Sequence, residues 1–363
     1  MNSAKHIIWL CSGIHLPGGT ERANLNAAHL MLQKGYRVTI VVLDESAGSF
    51  YPLDPQINLV HRKFFFGIGG KGNLITRKIS MLREFYKLKR LLIELKPHVI
   101  IATDYPFAVA CVVTGLHRKS RVLSWEHHHY GWLKKSWFWN KMIRYAYPRL
   151  DSVIVYNKDE TAWFEKWGCK TMVIPNFLTE LPTINSESQP LILTVGWLIE
   201  RKGVDMIPAM AEKILDKHPQ WKWKVIGEGE LEKQLRKEIA ERGLQNRLII
   251  QKPEHPLQAN DYQQASVYVM TSRQEPFGLV LIEAMSNGVP CIAYNCETGP
   301  RHIIQDNEDG YLVPAFDTSA MEYCILKMIK DAGLRKQFGI RAKSNVKKFS
   351  ADAVWLKWKI LLE

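Results

Sequence analysis

The strongest constraint on the fold is the regular alternation of short apolar runs with segments of helical length. In the first half of the chain the runs are mostly uninterrupted, as in HIIWLC, RVTIVVL and SVIVY. Uninterrupted apolar strands are typical of parallel sheets that helices cover on both faces. After the polar stretch LTELPTINSESQP the alternation begins again, with LILTV, VYVMT and PCIAY. The sequence therefore predicts an α/β fold with two doubly wound, Rossmann-like domains.

The length of the chain agrees with two domains, because 363 residues are more than one core usually holds. We place the first domain at residues 1–183, the second at 184–345 and a final amphipathic helix at 346–363. Ligands of open α/β sheets bind at the carboxyl ends of the strands. A cleft faced by two such domains is therefore the default site, and candidate residues are sought directly after strands.

The charge of the chain is uneven and indicates an anionic partner. The formal net charge is +13; residues 62–96 carry ten lysines and arginines against two acidic residues, and residues 131–150 carry five against none. Such a concentration fits nucleic acid, an anionic membrane surface or a diphosphate-bearing substrate. The sequence contains no known nucleic-acid-binding module, so we expect no nucleic acid partner.

Cysteine usage and hydropathy favour the cytoplasm. None of the six cysteines forms a CxxC pair and several lie in apolar runs, which is typical of buried reduced thiols. The N-terminal apolar run is short and is better interpreted as a strand than as a signal peptide. No uninterrupted apolar stretch reaches the ~18 residues that a membrane-spanning helix needs.

A glycine pair follows the first predicted strand. In GIHLPGGTER, Gly18 and Gly19 precede a helix expected to begin near Thr20. Glycines let the backbone approach a ligand, and the N–H groups and dipole of a helix start favour a phosphate. A plain glycine-rich turn would have the same sequence. The dinucleotide fingerprint GxGxxG is absent here, which argues against a dehydrogenase.

Two cations follow the first strand of the second domain. In VGWLIERKGVD, Arg201 and Lys202 stand in a loop before a predicted helix. Positive side chains at a helix start oppose the helix dipole unless an anion lies between them. The segment is therefore either a diphosphate site or a solvated basic turn.

The most informative segment is TSRQEPFGLVLIEAMSNGVPCIAY. It predicts a strand that ends at Thr271, a turn from Glu275 to Gly278 and a helix that runs to about Asn287. Glu275 and Glu283 are eight positions apart, which is at most ~12 Å along a helix axis. That distance suits a ligand whose sugar ring and ribose are separated by a diphosphate. The apolar neighbours of Glu283 indicate burial, and a buried carboxylate needs partners.

Three adjacent histidines follow another predicted strand, in SWEHHHYGW. Successive side chains of an extended segment point in alternate directions, so His127, His128 and His129 cannot all bind one ion. We therefore expect no metal site here. The nearest approach to a D-x-D motif, DNED at residues 306–309, is better interpreted as a turn because Gly310 follows it.

These motifs resemble glycosyltransferase family 4, the retaining enzymes of the GT-B fold, over nearly the whole chain. EPFGLVLIE resembles the E-x7-E motif of the family, GWLIERKGVD its G-R-L-x-x-x-K-G segment, and GGTERANLNAAHLMLQKGYRVTIV the opening of members that build bacterial polysaccharides. The resemblance implies transfer of a hexose or N-acetylhexosamine from a nucleotide diphosphate sugar, most often a UDP-sugar in this family. The acceptor would be lipid-linked or a saccharide, in the synthesis of a surface glycan such as lipopolysaccharide.

The resemblance also implies what each part of the chain does. The first domain would bind the acceptor, the second would bind the nucleotide sugar, and the C-terminal helix would return to the first domain. Family members transfer with retention while the leaving phosphate takes the acceptor proton. We therefore expect no catalytic metal and no cofactor besides the donor substrate, and we expect a monomer.

Roles for single residues follow from the same resemblance. Glu275 would contact the donor hexose, His127 would hydrogen-bond to the sugar or phosphate, and Glu283 would bind the ribose. Arg201 and Lys202 would neutralise the diphosphate as it leaves. Backbone groups would bind the rest of the donor, at Gly18, Gly19, Phe277, Gly278 and Leu279.

Two further positions complete this comparison. His128 and His129 would face the acceptor side or solvent. Trp197 stands where the family usually has an arginine after the glycine, and Arg201 beside Lys202 is the candidate to replace that charge.

A basic and aromatic surface is predicted in the first domain. Residues 73–96 form a long candidate helix on which Arg83, Lys87 and Arg90 share one face, and GWLKKSWFWNKMIRYAYPRL adds Lys134 and Lys135 among aromatic residues. This mixture suits a membrane interface, and a solvated helix face with ordinary core aromatics is the alternative. We therefore expect a cytoplasmic protein that is peripheral at the inner face of the cell membrane.

Two other functions stay open at this point. A nucleotide-sugar epimerase or a phosphorylase on a similar fold would need no basic aromatic surface. A non-catalytic membrane-associated binding protein would tolerate changes at Glu275 and Lys202.

Overall fold

The computed structural model describes residues 4–43, 48–64, 74–182, 188–253 and 256–363. The chain divides into two compact units, residues 1–175 with 355–363, and residues 176–354. The sequence analysis had placed these boundaries after residues 183 and 345.

The first unit is built on a parallel sheet of seven strands in the order β3-β2-β1-β4-β5-β6-β7. Its strands are β1 (His6–Cys11), β2 (Arg37–Val42), β3 (Asn58–His61), β4 (Val99–Ala102), β5 (Arg121–Trp125), β6 (Ser152–Val155) and β7 (Thr171–Val173). Its helices are α1 (Gly19–Gln33), α2 (Leu74–Leu95), α3 (Tyr105–Val113), α4 (Trp137–Ala146) and α5 (Lys158–Glu165).

The second unit repeats this plan with six parallel strands in the order β10-β9-β8-β11-β12-β13. Its strands are β8 (Leu191–Val195), β9 (Lys222–Ile226), β10 (Leu248–Gln251), β11 (Val267–Met270), β12 (Cys291–Asn295) and β13 (Gly310–Pro314). Its helices are α6 (Ile207–Leu215), α7 (Glu232–Glu241), α8 (Ala259–Gln263), α9 (Leu279–Ser286), α10 (Pro300–Ile303), α11 (Thr318–Lys330) and α12 (Ala332–Asn345).

The predicted class of two doubly wound α/β domains is confirmed. The inner strands β1, β4, β6 and β11 are buried along their whole length, as uninterrupted apolar runs require when helices cover both faces. In each sheet the strand order reverses beside the first strand of the unit, between β1 and β4 and between β8 and β11. A crevice at the carboxyl ends of strands that flank such a reversal is where ligands of this architecture bind.

The last helix, α13 (Ala351–Leu362), links the end of the chain to the first unit. The Trp358 ring is fully buried there, 6.2 Å from the Trp9 ring and 5.2 Å from the Trp125 ring, centroid to centroid. The Lys357 ammonium donates a hydrogen bond to the Val173 carbonyl oxygen at 3.2 Å. Aromatic burial thus fixes this segment against β1 and β5.

None of the described helices combines the length and the apolar character that a membrane-spanning segment requires.

Candidate functional site

Two loops meet at the reversal point of the second sheet. One follows β8 and contains Arg201 and Lys202, and the other follows β11 and contains Glu275. The backbone N–H of Arg273 donates to the Arg201 carbonyl oxygen at 2.9 Å, and the Thr271 hydroxyl donates to the Lys202 carbonyl oxygen at 3.0 Å. The sequence motifs that lie 70 residues apart are thus joined by hydrogen bonds.

A side-chain clamp holds the same two loops together. Both terminal nitrogens of the Arg273 guanidinium donate to the Asp205 carboxylate, at 2.6 and 2.7 Å. These hydrogen bonds lower the pKa of Asp205, which keeps the carboxylate ionised. A two-point arginine–carboxylate pair fixes orientation as well as distance. Sequence analysis missed this pair, and its only signal was the position of both residues in loops that follow strands.

Glycine is required where the loops cross. Gly203 has φ +66°, and a Cβ atom on it would lie 2.0 Å from the Thr271 carbonyl oxygen. Any larger residue would therefore push the two loops apart, because both the conformation and the space demand glycine.

The two loops bring Lys202 and Glu275 together. The Lys202 ammonium lies 2.5 Å from Oε2 of Glu275, and both side chains are largely buried. The Ser272 hydroxyl donates to the same oxygen at 3.3 Å. Both hydrogen bonds go to Oε2, which leaves Oε1 of Glu275 available to a ligand.

Arg201 is the cation of this loop that is not paired. Its guanidinium makes no hydrogen bond or ion pair with any residue of the described ranges, and the side chain is half-buried. The Lys202 ammonium of this loop is therefore already paired with Glu275, whereas the Arg201 guanidinium can bind an anion.

The helix after this turn contains the second carboxylate. The N-cap of α9 is Gly278, with φ +100°, and Glu275 lies before the helix and not on it. Glu283 is buried on α9, and its Oε2 accepts a hydrogen bond from the Tyr262 hydroxyl. Phe277 is also buried, with its ring 5.6 Å from that of Phe349. The first turn of α9, which starts at Leu279, leaves backbone N–H groups without intrahelical partners.

In the first unit, the predicted glycine pair stands at the start of α1. Gly18 is the N-cap, and a Cβ atom on it would lie 2.0 Å from Oε2 of Glu21, whereas a Cβ on Gly19 would meet no atom within 4 Å. Burial raises the pKa of Glu21. The space beside the Gly19 Cα is therefore open, whereas the Glu21 carboxylate fills the space beside the Gly18 Cα.

His127 lies in a packed network behind β5. Its ring is buried and stacks on Trp125, 4.6 Å away. Nδ1 accepts from the Tyr156 hydroxyl, and Nε2–H donates to Oδ1 of Asn24 at 3.0 Å. Burial lowers the pKa of His127 to about 3, so the imidazole is neutral near pH 7. In this arrangement both ring nitrogens already have protein partners.

The other two histidines differ from each other. His128 is half-exposed, whereas His129 is buried between the rings of Trp132 (4.9 Å) and Trp163 (5.8 Å). His129 does not face solvent, because two tryptophan rings cover it, whereas a position on the acceptor side stays a prediction. Among the described residues, no group of three or more histidine, cysteine or acidic side chains is arranged to hold a metal ion.

A cluster of ionisable groups at the carboxyl edge of the first sheet was missed by the sequence analysis. Asp104 follows β4 and accepts a hydrogen bond from the Ser12 hydroxyl at 2.6 Å. Glu126 follows β5 and accepts from the hydroxyl groups of Ser124 and Tyr147, both at 2.6 Å. Burial raises the pKa of both carboxyl groups. Their position directly after strands was the signal that could have found them.

Lys135 belongs to this cluster and not to an exposed basic surface. Its ammonium lies over the Tyr130 ring, 3.9 Å from the centroid, and burial lowers its pKa. The nearby carboxylates Glu126 and Asp104 act on that pKa in the opposite direction. Lys135 is half-buried and Lys134 is exposed, so of these two predicted acceptor or membrane residues only Lys134 lies fully at the surface.

The predicted basic face of α2 is exposed but partly neutralised. Lys87 pairs with Glu84 at 2.7 Å and Arg90 with Glu94 at 3.2 Å, both within the helix. Arg83 has no such partner among the described residues. Exposed apolar side chains lie on the same helix, at Ile79, Leu82, Tyr86 and Ile93.

The aromatic segment around α4 is exposed at its two ends. Trp137 is 74% exposed and Tyr145 is 51% exposed. The Lys141 ammonium lies 5.4 Å from the Trp137 ring centroid, and the Arg149 guanidinium lies 4.0 Å from that of Tyr145. Cations and aromatic rings thus share one surface region, as the sequence predicted.

Family models match almost the whole chain in two pieces. Residues 17–179 match the model described as Glycosyltransferase Family 4, and residues 181–345 match that described as Glycosyl transferases group 1.

Individual relatives and solved structures agree with these matches. An uncharacterized glycosyltransferase of Haemophilus influenzae is 25% identical over 99% of this chain and 100% of its own length. The GalNAc-alpha-(1->4)-GalNAc-alpha-(1->3)-diNAcBac-PP-undecaprenol alpha-1,4-N-acetyl-D-galactosaminyltransferase of Campylobacter jejuni is 26% identical over 95% of each chain. A S. aureus TarM variant in complex with fondaparinux, alpha-GlcNAc-glycerol and UDP has the same fold, with a TM-score of 0.83 at 15% identity, over 99% of this chain and 100% of that one.

Proposed function

Because the chain belongs to glycosyltransferase family 4 and has the GT-B fold, we propose that it is a retaining enzyme that uses a UDP-sugar. It moves a hexose or N-acetylhexosamine to a lipid-linked or saccharide acceptor during the synthesis of a surface glycan. The second unit binds the donor and the first binds the acceptor.

The observation that carries this proposal is the buried Lys202–Glu275 pair beside the unpaired Arg201. Cleavage of a sugar–diphosphate bond develops negative charge on the leaving group. Fixed cations and N–H groups stabilise that charge as it forms, and they are worth more in a partly buried site than in water. Arg201, Lys202 and the first turn of α9 are the groups that supply this stabilisation.

Glu275 holds the sugar and Glu283 holds the nucleoside. Oε1 of Glu275 accepts a hydroxyl hydrogen of the hexose while Lys202 keeps Oε2 in place. The Glu283 carboxylate, positioned by Tyr262, accepts from the ribose hydroxyls. Backbone groups of Phe277, Gly278 and Leu279 contact the remainder of the donor.

The reaction proceeds with retention and without a metal ion. The leaving phosphate takes the proton of the acceptor hydroxyl, so a pair of carboxylates of the hydrolase kind is not required. The two cations of the loop after β8 take the place of a divalent ion at the diphosphate. Arg201 supplies the charge that Trp197 does not.

The acceptor binds where the first unit carries its ionisable cluster. Asp104 and Glu126 lie at the carboxyl ends of β4 and β5, where hydroxyl groups of a sugar can be held. The C. jejuni relative, by its name, acts on a PP-undecaprenol-linked glycan, which supports a lipid-linked acceptor here. The protein acts as a monomer at the inner face of the cell membrane, held by the basic and aromatic surface of α2 and α4.

Activity measurements on matched variants test the proposal. The purified protein is screened against UDP-sugars by thermal shift and then by release of UDP, with ethylenediaminetetraacetic acid present in parallel. We expect Glu275→Ala and Lys202→Ala each to lower turnover by roughly 10²–10³-fold while the fold is kept. Control variants at Lys213 and Glu322, an ion pair of 2.8 Å that joins α6 to α11, should retain full activity.

Other outcomes would separate the alternatives. Full activity in both Glu275→Ala and Lys202→Ala would contradict a catalytic site at this loop pair. An epimerised nucleotide sugar, or phosphorolysis in place of transfer, would identify an epimerase or a phosphorylase. Loss of activity with the chelating agent would refute metal independence.

A further inference from the structure

The first unit contains a cavity at the amino ends of its strands, opposite to the sheet edge that carries Asp104 and Glu126. Its volume is about 870 Å³, within the usual range for small-molecule sites. Lys5 precedes β1, His98 precedes β4, Arg121 begins β5 and Asp151 precedes β6, and all four line it. We refer to this cavity as the amino-end groove.

The walls of the amino-end groove are strongly cationic. Its lysine and arginine side chains are Lys5, Lys96, Arg118, Lys119 and Arg121. Within the described part of the chain, only the Lys5 ammonium has a hydrogen-bond partner, the Leu362 carbonyl oxygen at 3.1 Å. The other four cations are therefore available to an anion from solution.

The acidic residues of the groove offset only part of this charge. Asp151 accepts a hydrogen bond from the Val122 backbone N–H at 2.7 Å, and Glu363 lies 3.6 Å from the Lys359 ammonium. These two carboxylates face five lysine and arginine side chains, which leaves positive charge in excess in a partly enclosed space.

The polypeptide is also strained at this place. Lys96 has φ +50°, a left-handed conformation that is unfavourable for residues other than glycine. It directly follows α2 and stands in the groove wall. Strain of this kind often accompanies sites where the position of a side chain matters.

The floor of the groove suits an organic ligand. Ile93 lines the groove with an exposed apolar side chain, and the buried Leu92, Val99 and Leu116 lie beneath it. His117 also lines the groove, and its Nδ1 is a buried polar atom without a hydrogen-bond partner in the described structure.

We propose that the amino-end groove binds a small organic molecule that carries two or more phosphate groups. Arg118 and Arg121 can each hold a phosphate through two hydrogen bonds, Lys96 and Lys119 add point charges, and the apolar floor receives the organic part. This inference stands apart from the proposed transferase activity, because it uses the opposite edge of the sheet.

Calorimetric titration of the full chain with ATP and with inorganic pyrophosphate tests the proposal. We expect ATP to bind more tightly than pyrophosphate because only ATP covers the apolar floor. Arg118→Ala with Arg121→Ala should weaken ATP binding by about tenfold or more, since two charged hydrogen-bond partners are lost. Lys119→Ala changes an exposed side chain and should lower the affinity for ATP by a smaller factor. It replaces the double variant in this test if the double variant does not fold.

Two control variants decide where ATP binds. Lys202→Ala removes a donor-site cation, and Lys233→Ala with Lys237→Ala removes two exposed lysines of α7; both should bind ATP at the groove as the wild type does. Equal ATP affinity in wild type and groove variants, or a loss confined to Lys202→Ala, would overturn the inference. A third outcome would also overturn it. If Arg118 and Arg121 affect binding to phosphatidylglycerol vesicles but not binding of ATP, the groove is a site for a lipid headgroup.

Discussion

At the scale of single residues, the candidate site depends on how two loops are held and not only on which side chains they carry. The Lys202–Glu275 pair forms because Arg273 joins the second loop to Asp205 of the first. Neither Arg273 nor Asp205 needs to touch a substrate for this. Both are positioning residues. They affect catalysis because they fix the backbone of the loop that carries Arg201 relative to the loop that carries Glu275.

We expect Arg273→Lys to lower kcat by about tenfold to a hundredfold, because lysine cannot make the two parallel hydrogen bonds and small misplacements of catalytic groups are costly. KM for the donor should change much less. Steady-state kinetics with thermal unfolding as a check on folding would measure this. Asp205→Asn should give a similar loss, and the double variant should cost no more than either single one. Strictly additive losses would contradict a shared positioning role.

Glu160 provides a prediction on pH. Its Oε1 is buried without a hydrogen-bond partner among the described residues, and burial raises its pKa from 4.5 to about 8. A carboxyl group whose pKa is raised on folding contributes stability that is fully present below pH 4.5 and is lost as the pH rises through about 8. Glu160→Gln should therefore leave Tm unchanged at pH 4 and raise it by roughly 5 °C at pH 9.

The control for this measurement is Glu180→Gln, a change at an exposed position of the chain. It should leave the dependence of Tm on pH as in the wild type. A decrease in Tm at pH 9 in Glu160→Gln would mean that the ionised carboxylate is stabilised by partners and that its burial is not the dominant effect.

At the scale of elements, helix bounds and strand positions could be predicted well because their signals are local. The candidate helix 73–96 is α2 (Leu74–Leu95), and Gly35, with φ +86°, follows the end of α1 as a C′ glycine should. The turn before α9 and the loop with Arg201 and Lys202 also lie where their motifs placed them.

Burial by residues from other elements could not be predicted in the same way. Lys135 has the sequence context of an exposed cation, but Tyr130 and Tyr105 of neighbouring segments enclose its ammonium. His129 is covered by Trp163, a residue of α5. The Arg273–Asp205 clamp likewise depends on which strands become neighbours, a fact that no short motif contains.

For the exposed face of α2 we predict association with anionic membranes. Reversal of Arg83, Lys87 and Arg90 to glutamate should reduce sedimentation with vesicles that contain phosphatidylglycerol by about tenfold or more at low salt, because each nearby cation contributes about 1 kcal/mol. Reversal of three exposed lysines of the second unit, Lys233, Lys237 and Lys336, is the matched control. Equal loss in both variants would indicate a general effect of net charge.

At the scale of the whole molecule, each unit carries one part of the proposed chemistry on its own sheet. The second unit supplies the cations and carboxylates for a nucleotide sugar, and the first supplies Asp104 and Glu126 for an acceptor. The family could be recognised from the sequence because EPFGLVLIE and ERKGVD are short motifs at strand ends. The side chains for the acceptor lie outside such motifs and became visible only in the folded unit.

The placement of Trp355–Glu363 in the first unit has a consequence for how the protein is made. The ribosome finishes residues 1–175 long before it reaches Trp358, which covers Trp9 and Trp125. The intervening 179 residues take roughly 10–35 s at usual rates of synthesis. During that interval a tryptophan-rich surface of the nascent first unit lacks its cover, so the unit that begins first during translation is the one that is completed last.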